Sequence, residues 1–575
     1  MKFDFESIPD RSRDGAAKWV CEGSSTEFVP LSVADMEFYT AQPIRDAISA
    51  VAQEKVLGYT DATDEYYRAV CSWMKRRHDF EIEKDWIVCT PGVIDALSML
   101  VEAVTDPGDG VIIMSPVYYP FDVAVTAKMR NIIYCPLINN DGYYEIDFEN
   151  FEKIAARADA KALLFCNPHN PVGRVWTKEE LTKVADICCD NGVFIIDDEI
   201  HNDLIMPGVK HTVTATVTER VKKNIAVCTA PSKTFNLAGL QCSNIIIPDA
   251  DNRAKMLVSW QRALHWHLNI FAFAACTAAY NECEPWLDEL LGVIKGNADY
   301  VKEFMEENFP EIKVSNLEGT YLQWLDMRGL GMTHLELKAM LDKAMIFTDY
   351  GEMFGPAGRG FQRINLACAR VSLEKAMQRF KAAVEEVRAD WAANGKPRHR
   401  TLRPGDRIAP FSYKTADGTK EFKGNTLLVF AGLTFDFANR ALFSYLEKAA
   451  AELAERDYTV TLVTASGSEK TKDLPDGVDV IYDKDGVLFN LYNVFEADSA
   501  TGMIAGDKIY EQLQDEMFRT LKNSELFRYL FAPDTVKEKA ARPLQTPAFF
   551  TVDEKLTVKE AYYGKTICDF ATFGY

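Results

Sequence analysis

From about residue 85 the chain alternates between short apolar runs and longer stretches whose apolar residues recur every three or four positions. "DWIVCTPG" leads into "VIDALSMLVEAV", and "GVIIMSP", "NIIYCPL", "KALLFCNP", "GVFIIDDE" and "NIAVCTA" follow. Apolar runs of strand length separated by helical patterns predict an α/β fold on a mostly parallel sheet buried on both faces. Such sheets bind ligands beyond the carboxyl ends of their strands. Each run here ends in a polar or glycine-bearing cluster, which marks that edge for a site.

Around residues 389–403 the pattern breaks: "ADWAANGKPRHRTLR" loses its apolar period and gains basic and breaker residues, so a linker is expected over 393–403. A second α/β pattern then begins. "NTLLVFAG", "YTVTLVTA" and "VDVIYD" read as strands, and "RALFSYLEKAAAELAER" as an amphipathic helix. No internal repeat or low-complexity tract interrupts either half.

The chain has 575 residues, too many for one ordinary core, and 47% of them are hydrophobic. A net charge of −21 argues against broad contact with nucleic acid, whose phosphates would be repelled. It leaves room for a small anion in a local positive pocket. The thirteen cysteines are scattered, with no Cys-x-x-Cys pair, and only Cys568 lies beyond residue 400. That usage fits buried thiols, not a disulfide framework. "MKFDFESIPDRSRDG" is charged and lacks a hydrophobic leader, and no apolar run is long enough to span a bilayer. A cytoplasmic protein without membrane contacts is expected.

Candidate chemistry lies where the apolar runs stop. Lys233 follows "NIAVCTA" and precedes a loop of small residues. Alone it reads as a surface lysine in a turn, or else as a pocket amine that forms an imine with a carbonyl cofactor. Asp198, in "FIIDDEIHNDL", reads as a helix cap or as an acid that keeps a pyridine nitrogen protonated. His201 lies three residues on, about one helical turn away. Asn170 occupies a turn in "FCNPHNPVGRVW", where its amide could also meet a phenolate oxygen. Gly92 stands between a strand and a helix, where backbone N–H groups bind phosphate. Tyr118, in "SPVYYPF", could stack on a flat ring.

In this order, "TPGV", "SPVYYPF", "NPHNPVG", "DDEIHNDL" and "APSKTFNLAGL" resemble the successive signatures of fold-type I pyridoxal-phosphate enzymes. They are most similar to the MalY/PatB-type C–S β-lyases, the cystathionine β-lyases related to class I and II aminotransferases. "LSVADMEF", "LGYT", "EGTYLQWLDMR" and "GFQRINLACAR" fit the same branch, and the resemblance covers about residues 1–392. It implies a large domain over about 45–285 and a small α/β domain from about 1–44 and 286–392. It implies pyridoxal 5'-phosphate as cofactor, Lys233 as its covalent anchor and base, and Asp198 as partner of the ring nitrogen. Asn170 and His201 would approach the ring hydroxyl, and Tyr118 would stack on the ring. Gly92, the Val93 backbone and Ser232 would hold the phosphate. Arg363 would clamp the carboxylate of a small amino-acid substrate. Tyr59 would reach the site from the other subunit of a homodimer. Related aminotransferases often carry a phosphate-binding arginine eight residues after the lysine, where this chain has Gln241. The implied reaction is α,β-elimination from cystathionine, cystine or a related cysteine conjugate. An aminotransferase, or an interaction protein on a vestigial fold, is the alternative.

The segment from Arg403 to Phe437, with "YDKDGVLFNLYNV" further on, resembles the opening and a later strand–helix piece of a peroxiredoxin or thioredoxin-like domain. That implies such a domain over 404–575. Peroxiredoxins commonly place their reactive cysteine three residues after a threonine, whereas here Thr434 is followed by Phe437. A phenyl ring has no thiolate chemistry, so a domain without peroxidase activity is expected.

Overall fold

The computed structural model describes residues 2–20, 27–264 and 267–394, and beyond them mainly seven strands between 412 and 563. The chain divides into two compact units, Met1–Glu385 and Glu386–Tyr575.

The apolar runs of the first unit form its main sheet. Its strands are β1 (Ile87–Thr90), β2 (Gly110–Ile113), β3 (Asn131–Tyr134), β4 (Ala160–Cys166), β5 (Phe194–Asp198), β6 (Ile225–Thr229) and β7 (Ser243–Ile246). They lie in the order β1-β7-β6-β5-β4-β2-β3. From β6 to β3 neighbours run parallel, while β7 is antiparallel to both β1 and β6. The sheet is therefore mixed. Strand β7 has no counterpart in the sequence reading, because "SNII" is short and half polar. It forms because the slot between β1 and β6 satisfies its backbone on both sides.

Every residue of β2, β5 and β6 is buried, as expected for strands covered on both faces. The helix Val93–Val104 lays Ala96, Leu97, Leu100 and Val101 in one core with Val111, Ile113, Leu164, Ile196, Ala226 and Ile245. Burying each large aliphatic side chain contributes about 1.5–3 kcal/mol. The strand ends of this sheet are thus fixed by many such contacts and cannot shift singly.

A second sheet lies within the same unit. It consists of β8 (Lys313–Val314), β9 (Leu322–Asp326), β10 (Asp349–Tyr350) and β11 (Phe361–Asn365), all antiparallel, in the order β8-β9-β11-β10. The helix Arg370–Asn394 runs through residues 389–394, where the broken apolar period suggests the start of a linker. The run Ala389–Asn394 is made of residues that tolerate a helix, and the strong breakers, Gly395 and Pro397, come only after it. The remainder of the expected linker, to 403, lies outside the described residues.

In the second unit the three expected strands, β12 (Thr426–Phe430), β13 (Thr459–Thr464) and β14 (Val478–Tyr482), are joined by β15 (Ala548–Val552) and β16 (Val558–Tyr563). The order is β14-β13-β12-β15-β16. The first three are mutually parallel, and the last two join antiparallel. Strands β15 and β16 fall in the aromatic-rich region beyond 515, to which the sequence alone assigns nothing. Most of the helix expected over 440–456 lies outside the described residues, as do Thr434, Phe437 and Cys568. Among the described residues, no helix is long and apolar enough to cross a membrane.

Candidate active site

Three parallel strands end side by side. In register, Cys166 of β4 pairs with Asp198 of β5, which pairs with Cys228 of β6. Asp198 is thereby set at the centre of the carboxyl edge. Past β6 the chain turns into the four-residue helix Pro231–Thr234, which carries Ser232 and Lys233. Past β4, the loop 167–171 carries Asn170. Past β1, Gly92 opens the helix Val93–Val104. These segments meet around a cavity of about 170 Å³ lined by Gly92, Val93, Tyr118, Asn170, Asp198, His201, Ser232 and Lys233. Eight of the ten residues singled out by sequence line it together.

Lys233 Nζ donates to the Ala34 carbonyl at 2.7 Å. Burial pushes its pKa down to about 8. The Arg363 guanidinium pushes the same way, and Asp35, Asp198 and Asp349 pull back. The amine is therefore a usable base near neutral pH. The Asp198 carboxyl is buried, which raises its pKa to about 7 against the backbone N–H of Ile200 and the charge of Lys233. Ile200 N donates to Asp198 Oδ1 at 3.1 Å. His201 is held well below its usual range by burial and by the charges of Lys233 and Arg363, so its imidazole is neutral. Its ring meets Tyr321 edge-on at 5.9 Å.

Arg363 belongs to β11, outside the cavity wall, yet it reaches the same place. Its Nε and Nη2 donate to Asp349 Oδ2 at 3.0 and 2.6 Å, and Nη1 donates to Asn170 Oδ1 at 2.8 Å. One guanidinium thus ties the second sheet to the Asn170 loop, with its plane over Phe354 at 4.7 Å. Asp349 also accepts from Val33 N, which brings the segment Leu31–Phe38 into the site.

The donor set fits pyridoxal phosphate. His201 Nδ1 is buried with no hydrogen-bond partner among the described residues, an orphan polar atom in the cavity wall. The helix that starts at Gly92 has no side-chain cap, so its first backbone N–H groups are free for a phosphate. Asp198 offers a carboxylate to a ring nitrogen, and Lys233 an amine to an aldehyde. Tyr118 is half-buried in the wall, and its N–H donates to the Asn170 carbonyl at 3.1 Å. Gln241 also lines the cavity, and among the described residues no arginine does.

Tyr59 is the exception. It is 94% exposed, away from this cavity, beside His267 with ring centroids 5.3 Å apart. It borders an open groove with Leu57, Leu264, Ile270 and Phe271. Three contributors have no role in the sequence reading. Ala34 supplies its carbonyl to Lys233, Asp349 anchors Arg363, and Asp95 places an exposed acid in the cavity lining close to Gly92. The segment "LSVADMEF" is visible as a signature, but a backbone carbonyl has no sequence signal of its own.

Comparison with known proteins places this geometry in context. The family model for aminotransferase class I and II matches residues 26–380. Cystathionine beta-lyase PatB of Bacillus subtilis (strain 168) is 39% identical over 385 residues, which are 66% of this chain and 100% of that protein. Protein MalY of Escherichia coli (strain K12) is 32% identical over 393 residues, 67% of this chain and 100% of that one. Among solved structures, cystalysin from Treponema denticola, which contains a pyridoxal 5'-phosphate cofactor, is 44% identical with a TM-score of 0.66. That match covers 67% of this chain and 100% of cystalysin.

Proposed function

The chain belongs to the aminotransferase class I and II family, and from that premise we propose that it is a pyridoxal-phosphate-dependent carbon–sulfur β-lyase. The observation that carries the reading is the one cavity on which Lys233, Asp198, the orphan His201 Nδ1 and the uncapped helix start at Gly92 converge. Bound there, the cofactor supplies an aldehyde for the substrate amine and a ring that accepts carbanion charge.

The roles of the side chains follow from their chemistry. Gly92, Val93 and Ser232 would hold the phosphate through neutral donors. Asp198 would keep a proton on the ring nitrogen, and that cation would in turn stabilise its charge. Neutral His201 and Asn170 would serve the ring hydroxyl, and Tyr118 would pack on the ring. Arg363, braced by Asp349 and Asn170, presents a fork to the substrate carboxylate. Lys233, as a neutral amine, takes the α-proton. The C–S bond then breaks, with its electron pair leaving on sulfur as a thiolate. With one water consumed, the products are thiol, pyruvate and ammonium. Tyr59 would act from a second copy of the chain, because its own cavity lies elsewhere and its exposed apolar neighbours suit a homodimer contact.

The test is product analysis. Incubated with cystathionine, the protein should release pyruvate and a thiol in equal amounts without any added 2-oxo acid, and with cystine it should release pyruvate and cysteine persulfide in equal amounts. Amino-group transfer to a 2-oxo acid with no thiol released would replace the lyase reading with the aminotransferase one.

For the second unit we propose a thioredoxin-like domain without peroxidase chemistry. The parallel strands β12 and β13, with β15 antiparallel to β12 and β16 antiparallel to β15, support that topology. The replacement of a cysteine by Phe437 supports the loss of activity. The full chain should consume hydrogen peroxide no faster than thiol-matched control protein, and sustained peroxide turnover would overturn this part.

A further inference from the structure

The helix that carries Lys233 is only four residues long, Pro231–Thr234, and two backbone bonds close it, Phe235 N to Pro231 O and Leu237 N to Ser232 O. So short a turn cannot hold a side chain's direction through its own backbone cooperativity. Something else must aim the lysine. Thr234, the next residue, is fully buried, and its Oγ1 donates to Asp203 Oδ2 at 2.7 Å.

Asp203 is itself held from the other side. Its Oδ1 lies 2.8 Å from His78 Nε2 and accepts from Trp73 Nε1 at 3.0 Å, and Trp73 Nε1 also reaches Oδ2 at 3.2 Å. Trp73 and His78 belong to the helix Asp64–His78, and the Trp73 ring stacks on Tyr280 at 4.8 Å. His78 stands edge-on to His211 at 5.7 Å, and His211 Nε2 lies 3.6 Å from Glu199, the residue after Asp198. Burial alone would raise the Asp203 carboxyl. The His78 hydrogen bond and charge, the Thr234 hydroxyl and Arg77 outweigh it and leave the pKa lowered, so Asp203 is a buried carboxylate. A buried charge is costly and is a poor source of stability. This one has both oxygens occupied, and one of its three donors is the residue next to the cofactor anchor.

We propose that Thr234, Asp203 and His78 form a positioning unit that aims Lys233 into the cavity, a task distinct from binding the ring or the phosphate. None of the three touches the cavity, so each acts through Lys233. The proposal rests on the cofactor reading above, and its test separates the two.

The cofactor-free full chain is titrated with pyridoxal phosphate and with pyridoxine 5'-phosphate, which keeps ring and phosphate but has no aldehyde for Lys233. The ratio of the two dissociation constants reports how well Lys233 meets the aldehyde. Thr234→Val should reduce the preference for the aldehyde about five- to tenfold, the usual size for one buried hydrogen bond, and leave pyridoxine phosphate affinity unchanged. Thr234→Ser should restore the ratio to within about twofold, because it keeps the donor. If Thr234→Val does not fold, Thr234→Ala carries the same expectation. An unchanged ratio in the variant without the hydroxyl, or an equal loss of both ligands, overturns the proposal while the cofactor reading stands. A ratio that Lys233→Ala leaves unchanged overturns the cofactor reading and the proposal together.

Discussion

Lys233→Ala should cut pyruvate release by at least about three orders of magnitude, because one amine is assigned both the covalent anchor and the α-proton base. The variant should still retain cofactor reversibly. The uncapped helix start at Gly92, Ser232, Asp198 and Asn170 line the same cavity and are untouched by the change. The protein should not lose stability either, since burial of the ammonium is the first cause of the lowered lysine pKa, and a methyl group removes that burden. Pyruvate assay and cofactor content after gel filtration check both halves. Turnover within about tenfold of the unaltered protein would remove Lys233 from the mechanism.

Asp198→Asn should also suppress turnover, by roughly 10²–10⁴-fold, because an amide leaves the ring nitrogen unprotonated and the α-carbanion without its sink. Exchange of the substrate α-hydrogen with deuterated solvent should slow in parallel. A wild-type exchange rate would show that Asp198 is not the partner of the ring nitrogen. The same substitution should stabilise the cofactor-free protein. The folded-state pKa of Asp198 is about 7, above its ordinary 3.8, so the folded chain holds this proton more tightly than the unfolded chain does. The carboxylate therefore costs nothing below about pH 4. The cost grows as pH rises towards 7 and is constant above. About three pH units correspond to roughly 4 kcal/mol at most. Melting of the cofactor-free proteins should show a Tm advantage for the asparagine variant that is absent near pH 4 and reaches a plateau above about 7. A pH-independent difference would mean that the carboxylate is not strained. The site holds a cost that the bound cation is placed to relieve, a trade of stability for function.

The strain on Asp198 also explains why its neighbours matter. Asp197 and Glu199 are buried on either side of it, and burial raises both carboxyls. The sequence shows three acids in a row without distinguishing them. The strand pleat separates Asp197 from Asp198, since successive residues of β5 point to opposite faces, and Glu199 follows just past the strand's end. Only Asp198 reaches the cavity, while Glu199 bonds to the Thr214 N–H at 3.0 Å.

Much of this was legible in the chain. The apolar runs predict all of the main-sheet strands except β7; in β2, β5 and β6 the reason is burial on both faces, whereas β3, at the sheet's edge, keeps Asn131 and Tyr134 exposed. Lys233, Asp198, Asn170 and Gly92 could be singled out because each stands at the end of such a run, the one edge where polar groups can face a ligand. The interval between motifs carried the family, since each motif marks a strand end and the strands are neighbours in space. Tertiary structure alone decided the rest. It put β7 between β1 and β6 and brought Arg363 from a second sheet onto Asn170. It turned the Ala34 carbonyl to Lys233 and left Tyr59 on an exposed face away from its own cavity. Thr234, Asp203 and His78 are far apart in sequence and ordinary in type, and their hydrogen bonds depend on where two helices pack against one strand end. Periodicity and composition record what each residue must avoid or seek in solvent. They do not record which distant polar atom it will meet, and in this site that meeting sets the charge and aim of the lysine.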